Sequence, residues 1–338
     1  MLHIDGSIGE GGGQILRTAL SLSLITGKPF RLSNIRAGRK KPGLMRQHLV
    51  CVHAAEAIGQ AEVIGDDLGS TELTFTPGQV KTGDYHFAIG SAGSTMLVLQ
   101  TVLPVLLMQD QPSTVRLEGG THNPMAPTVD FIQHGFLPAV AKMGIRAEVN
   151  LLRSGFFPVG GGEVTLTVQP WTDRQSLTLL ERGAHQAIHA KAGVVNLEWH
   201  IAERELATLA QKLELTSQGP LSLYESRSQG NAAMVEVVHE QHTEVFTALG
   251  EVGKMAEQIA RQLTRDVKRY LAAPDAVDEH LADQLLLPMA LGCGGQISCR
   301  HLSDHTRTQA EMIERFLPVK VHLREDNAPY TAVIEVVV

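Results

Sequence analysis

The sequence predicts an α/β (α+β) fold: one βαβαββ unit used three times in a large domain, with a smaller α/β domain inserted in the third unit. Three observations predict it. Strand-like and helix-like stretches alternate along the chain. The same order of elements restarts near Asp84 and again at "SLTLLERG". The third run breaks off at about Ala184 and resumes after Asp275. The signal is hydrophobic period, two for a half-buried strand and about 3.6 for a helix. Internal repetition usually means similar sheets packed together. A single irregular α/β fold without repeats is the alternative.

In the first unit, "LHIDGSIG" leads through glycines into "GQILRTALSLSLITG", whose apolar residues fall at helical spacing and which ends on Gly27, a C-cap residue type. "FRLSNIR" alternates as a strand, "GLMRQHLVCVHAAEAIG" is a helix, and "AEVIG" and "TELTFTP" are paired strands. The second unit repeats this with "DYHFAIG", "STMLVLQTVLPVLLMQ", "STVRLEG", "APTVDFIQHGFLPAVAKMG", "RAEVNLL" and "GEVTLTVQ". The third has "SLTLLERG", then "DEHLADQLLLPMALG", "GQISCR", "HTRTQAEMIERFL", "VKVHLRE" and "YTAVIEVVV". Between its first strand and first helix lie the strand "IHAKAGVVNL", a helix around "HIAERELATLAQKL", strands near "MVEVVHE" and "EVFTALG", and a long helix ending "LTRDVKRYLAA". The expected division is 1–183 with 276–338 as the large domain and 184–275 as the insert.

Composition bounds the function. The 338 residues are 43% hydrophobic and 19% charged, as in a globular protein with a sizeable core. Aromatics are scarce at 4%, so Leu, Val, Ile and Ala must carry the packing. A net charge of −7 means that any nucleic-acid site has to be a local basic patch. Three cysteines (Cys51, Cys293, Cys299) are too few for a disulfide scaffold and match no common zinc spacing, so they read as reduced thiols in a cytoplasmic protein. The N-terminus lacks the basic and apolar regions of a signal peptide. No apolar run reaches the roughly 18 residues of a membrane span.

Four stretches could carry chemistry. "GEGGGQILR", Gly9 to Arg17, places three consecutive glycines before a helix start. Backbone N–H groups there can approach an anion closely, and the helix dipole favours negative charge. Glu10 could hold a divalent cation that bridges phosphates, and Arg17 could pair with phosphate oxygens. A plain flexible turn into a helix fits equally, and no P-loop motif occurs. "IRAGRKKPGLMRQH" carries Arg36, Arg39, Lys40, Lys41 and Arg46, five cations in eleven residues of an acidic chain. Such a loop suits an RNA or polyphosphate backbone, or is a solvated surface loop. "HLADQ", His280 to Gln284, sets Asp283 and Gln284 near a helix start, within reach of a ribose or a base edge. Gln100 lies further into the corresponding helix of the second unit.

The fourth is "DHTRTQAEMIERF", Asp304 to Phe316. Ser303 or Asp304 can cap a helix with the apolar stripe Ala310, Ile313, Phe316 and Leu317. His305 then lies in its first turn, beside unpaired N–H groups. A neutral imidazole there could attack a phosphorus whose oxygens those groups hold. The helix dipole lowers its pKa and the Asp304 charge raises it. Among fifteen histidines, His48, His122, His134 and His280 compete with it on these grounds.

Seven motifs occur together and in order: "DGSIGEGGGQILRTALSLS", "IRAGRKKPGLMRQH", "FAIGSAGSTMLVLQTVLP", "GGTHNPMAP", "GFFPVGGGEV", "HLADQLLLPMAL" and "HTRTQAEMIERF". With them the chain resembles the RNA 3′-terminal phosphate cyclases from about residue 3 to 335, least so in the inserted segment. The resemblance implies three βαβαββ units and an inserted α/β domain. It implies ATP-dependent conversion of an RNA 3′-phosphate to a 2′,3′-cyclic phosphate, with ATP, a divalent metal (Mg or Mn) and a 3′-phosphorylated RNA as partners. It leaves an oligomer open.

In that family a histidine attacks the α-phosphorus of ATP, AMP passes to the RNA 3′-phosphate, and the 2′-hydroxyl then displaces AMP. By motif, His305 matches the nucleophile and Glu10 the acidic metal-site residue. Arg17, Arg36 and Arg39 match the phosphate-contacting arginines. Gln47 and His48 fall in the same basic motif and line the RNA side. Gln100, Pro127 and His280, Leu281, Ala282, Asp283 and Gln284 match nucleotide-binding positions, with Asp283 at the ribose. At His280 close bacterial relatives carry tyrosine, which stacks on adenine; imidazole stacks with less area. Two other readings exist. Catalytically silent relatives act in ribosome assembly, but they lack the histidine kept here. Enolpyruvyl transferases use related repeats on small acidic substrates.

Overall fold

The structure, a computed structural model, describes every residue except Glu10. Strands β1 (Leu2–Asp5), β2 (Phe30–Ser33), β3 (Glu62–Ile64) and β4 (Leu73–Thr76) form one sheet in the order β1-β2-β4-β3. Helices α1 (Gln14–Thr26) and α2 (Arg46–Gly59) connect them. The β1–β2 pair is parallel and the other two pairs are antiparallel. As the sequence predicts, α1 stops at Gly27. Its φ of 69° is the left-handed conformation that glycine adopts freely, and its N–H closes the last turn on the Ser23 carbonyl.

The next sheet uses β5 (Asp84–Ala88), β6 (Ser113–Gly119), β7 (Ala147–Arg153) and β8 (Gly162–Val168) in the order β5-β6-β8-β7. Helix α3 (Thr95–Leu107) follows β5. The second connection is one helical stretch in three parts: α4 (Val129–Phe131), a π turn (Ile132–Phe136) and α5 (Leu137–Ala141). Sequence period predicts a continuous α-helix here. Pro138 cannot donate to the His134 carbonyl, and the Leu137 N–H reaches five residues back to Ile132.

Strand β9 (Leu177–Leu179) precedes a separate sheet of β10 (His185–Val195), β11 (Ser217–Pro220), β12 (Gly230–His239) and β13 (Thr243–Leu249), ordered β11-β10-β12-β13. Helices α6 (His200–Lys212) and α7 (Ala256–Leu271) cover it. This sheet has its own apolar cluster, including Ile188, Leu209, Val235, Leu263 and Val267. Strand β11 has no counterpart in the sequence reading. "SQGP" holds a glycine and a proline, tolerated because β11 pairs only with β10, at the sheet edge.

Helix α8 (Glu279–Leu291), β14 (Gly295–Cys299), α9 (Asp304–Phe316), β15 (Lys320–Glu325) and β16 (Ala332–Val337) return to β9 in the order β9-β14-β16-β15. The β9–β14 pair is parallel and the others antiparallel, the pattern of the first two sheets. Helix α1 packs against α2, α3 and α9. It is buried along most of its length, including Thr18, Ser21 and Ser23. The Ser21 hydroxyl meets the α3 carbonyl of Thr101 at 2.7 Å, so α1 ties helices of all three sheets together.

Candidate active site

The glycine loop reaches α1 through tight turns. Gly9 and Gly11 both have φ of 61°. At Gly13 the reason is space. A Cβ there would lie 2.6 Å from His48 Nε2 and 2.8 Å from an Arg17 terminal nitrogen. The loop, the start of α2 and the first turns of α1 therefore meet at one point.

His48 closes the start of α2. The Met45 N–H donates to His48 Nδ1 at 3.2 Å, so the neutral ring carries its proton on Nε2, the atom facing Gly13. Burial, with the charges of Arg36 and Arg17, pushes its pKa down to about 3. His48 is thus a fixed neutral donor across the physiological range.

His305 sits in the first turn of α9. Ser303 is the N-cap, accepting from the Thr306 N–H at 3.1 Å, which decides between the two capping residues the sequence allows. His305 Nδ1 lies 2.8 Å from Gln14 Oε1 of α1. Burial first, then Arg17, His280 and Arg39, lower its pKa, while Asp304 opposes them. The ring is half-buried and neutral near pH 7.

Helix α8 begins at Asp278, whose carboxylate accepts from the His280 N–H at 2.8 Å and the Leu281 N–H at 3.1 Å. Gln284 Oε1 accepts from Gln100 Nε2 at 2.7 Å, joining α8 to α3. Burial, reinforced by Asp278 and opposed by His280 and Arg17, pushes Asp283 up to about 7.

Residues of α1, α3, α8 and α9 wall a cavity of about 760 Å³. Arg17, Gln100, Pro127, His280, Asp283, Gln284 and His305 all line it, although they lie far apart in sequence. Arg36, Arg39, Gln47 and His48 are not in its wall. Arg36 donates to the Lys41 and Gly43 carbonyls at 2.8 and 2.9 Å, so part of its guanidinium holds the basic loop's shape. Gln47 Oε1 accepts from the Ser94 N–H at 2.8 Å, tying α2 to the start of α3. Leu281 and Ala282 are fully buried in the core, and their N–H groups go to Asp278. Within "HLADQ", His280, Asp283 and Gln284 are the side chains facing the cavity.

The metal residue expected from sequence, Glu10, lies outside the described residues. Among the described residues, His53, Glu56 and Asp66 bring one potential ligand atom each within 4.8 Å of one another, but they do not line the cavity.

Sequence reasoning missed the far wall. It comes from β13 (Val245 to Leu249) and from Ile259, Gln262, Asp266, Arg269 and Tyr270 of α7. It also missed Gln14, Asn123 and Arg300. Gln14 and Asn123 lie inside quoted motifs, so motif membership could have flagged them. Nothing local marks the β13 and α7 residues.

A half-buried histidine, an arginine, the start of a helix and the paired amides of Gln100 and Gln284 meet in this cavity. The sequence profile of the RNA 3′-terminal phosphate cyclases matches residues 8–323. An RNA 3′-terminal phosphate cyclase of Salmonella enteritidis PT4 is 48% identical over 330 residues, 98% of this chain and 97% of the relative. Another, from Salmonella agona, is 49% identical over 325 residues, 96% of this chain and 94% of the relative. The chain belongs to the RNA 3′-terminal phosphate cyclase family and is an enzyme.

One expectation follows at Asp283. Its carboxyl pKa stands near 7 in the folded chain against 3.8 for the ordinary group. The unfolded chain ionises first as pH rises, so folding stability falls between about pH 4 and 7. Asp283→Asn removes that cost. Its melting temperature should exceed that of the parent at pH 8, with the gap closing toward pH 5. Thermal melts across this range measure the gap. A lower melting temperature at pH 8 would contradict the burial argument.

Proposed function

We propose that the protein converts an RNA 3′-phosphate to a 2′,3′-cyclic phosphate at the expense of ATP, through an AMP–His305 adduct and an RNA-(3′)pp(5′)A intermediate. The observation that carries this reading is His305, neutral at the cavity wall and facing Arg17 and the nucleotide-side residues Asp283 and Gln100. A 3′-phosphate monoester has no good leaving group, so the neighbouring hydroxyl cannot close the ring unaided. AMP supplies one. A His305 nitrogen attacks the α-phosphorus and pyrophosphate leaves. An RNA 3′-phosphate oxygen then takes the AMP, freeing His305. Finally the 2′-hydroxyl attacks the activated phosphorus, AMP departs, and the hydroxyl proton is lost to solvent or a nearby base. Ring closure is intramolecular and gains from proximity.

Arg17 and the glycine-loop N–H groups meet the triphosphate, with Pro127, His280, Gln100, Asp283 and Gln284 on the adenosine side. Arg36 and Arg39 also meet nucleotide phosphates, and Arg39, Gln47 and His48 form the RNA side. Glu10 is the residue to hold Mg or Mn, which would neutralise phosphate charge. The shared strand order of three sheets supports three repeated units, and the separate sheet and apolar cluster support 184–275 as an inserted domain. Three cysteines without a disulfide fit a cytoplasmic compartment. No helix is long and apolar enough to cross a membrane.

The test is a 3′-phosphorylated oligoribonucleotide with ATP and metal. A 2′,3′-cyclic end should form, and a 3′-hydroxyl control should not react. Absence of any cyclic end would sink the reading and leave the ribosome-assembly and enolpyruvyl-transfer alternatives. Arg39 is exposed, yet near enough to lower the His305 pKa. Arg39→Ala should therefore slow transfer of AMP to RNA more than formation of the adduct, with little change in melting temperature. Separate rates for the two half-reactions check this.

A further inference from the structure

The geometry points to Gln14 as a positioning residue that fixes the proton of His305 on Nδ1 and so directs the Nε2 lone pair at phosphorus. This rests on the reading of His305 as the nucleophile. Three side chains, all nine-tenths buried or more, form a relay behind the ring. The Thr18 hydroxyl donates to Gln309 Oε1 at 2.7 Å. Gln14 Nε2 donates to the same oxygen at 3.3 Å. Gln14 Oε1 then lies 2.8 Å from His305 Nδ1.

An amide oxygen can only accept, so Nδ1 must carry a hydrogen to complete the chain. The neutral imidazole has one N–H. With it on Nδ1, Nε2 holds the in-plane lone pair that a phosphorus electrophile needs. Free histidine prefers the opposite tautomer, with Nε2 protonated and unable to attack. The relay is internally matched. Gln309 presents oxygen to two donors, Gln14 has one end for each neighbour, and no buried amide end of Gln14 is left unsatisfied. The two glutamines sit on α1 and α9, helices that pack directly, so the ring's orientation is set by helix packing rather than by a loop. Reversing both amides would put an N–H on Nδ1 and the ring proton on Nε2, which is the arrangement the test must exclude.

The measurement is the ¹⁵N spectrum of histidine-labelled whole protein at pH 8, with the His305 signals assigned by their loss in His305→Asn. The expected result is a protonated Nδ1 and an unprotonated Nε2. A protonated Nε2 would overturn the proposal. In Gln14→Met, of similar volume, the Nδ1–H signature should be lost and adduct formation from ATP should fall at least about tenfold, within the roughly 10⁴-fold scale of a wrong histidine tautomer. In Gln14→Glu the acceptor remains, so the Nδ1–H signature should persist. A Gln14→Met enzyme that keeps the signature, or forms adduct within twofold of the parent, would overturn it. If Gln14→Met does not fold, the spectra of the parent and of Gln14→Glu decide. Failure of the parent to form any adduct would instead overturn the reading of His305, since the tautomer is measured without ATP.

Discussion

His305→Ala should lose ATP-dependent cyclisation by about 10⁴-fold or more, the scale reached when a nucleophile is removed from a unit that acts together. The loss should fall on one step. Ring closure of a pre-formed RNA-(3′)pp(5′)A needs no histidine nucleophile, because AMP is already the leaving group. The variant should therefore still cyclise that substrate at a rate within about tenfold of the parent, given that proximity supplies most of the advantage. The ring is half-buried at the end of a helix, and its replacement should shift the melting temperature by no more than about 4 °C. A variant that fails equally on both substrates would mean that His305 holds the site together rather than attacking. Steady-state rates on the two substrates, with a thermal melt, settle it.

Arg17→Met should be the next most damaging change, with adduct formation falling about 10²- to 10³-fold, the effect of removing one preorganised charge from a transition state. The reason lies in its position. Among the described residues, Arg17 is the cation that bears on the titration of His48, His305 and Asp283 alike. Burial lowers its own pKa, so its charge is held at a cost that a bound phosphate would offset. Removing it should leave the melting temperature of the unliganded protein near that of the parent while weakening ATP binding. A large fall in melting temperature with unchanged ATP affinity would assign Arg17 to the fold. The change should also move the acid limb of adduct formation: Arg17 lowers the His305 pKa, so its loss raises that pKa. The low-pH side of the profile should therefore shift to higher pH, and a pH series of single-turnover rates reads the shift.

Local order was legible in the sequence. Apolar runs place α1, α3, α8 and α9, and capping residues mark the end of α1 and the start of α9. The return from α7 to a sheet begun by β9 was legible too, as an interrupted pattern. The π turn was not, since a helical period is blind to a single proline's missing donor. Nor was β11, whose glycine and proline disguise an edge strand. In the site, motifs brought out the charged residues and His305. They could not separate His280 and Asp283, which face the cavity, from Leu281 and Ala282, which face the core. They could not show that Arg36 bends back on its own loop. The wall from β13 and α7 and the contact between Gln14 and Gln309, 295 positions apart, depend on which elements the fold brings together. Spacing within a segment contains no trace of that.

The most direct test of the central claim is the site of adenylation. The protein is incubated with α-labelled ATP and Mg or Mn, the labelled chain is cleaved, and the modified peptide is sequenced. The account predicts one acid-labile, alkali-stable label on the peptide containing "DHTRTQAEMIERF", absent in His305→Ala. A label on any other residue, or RNA cyclisation that proceeds with no adduct on His305, would contradict it.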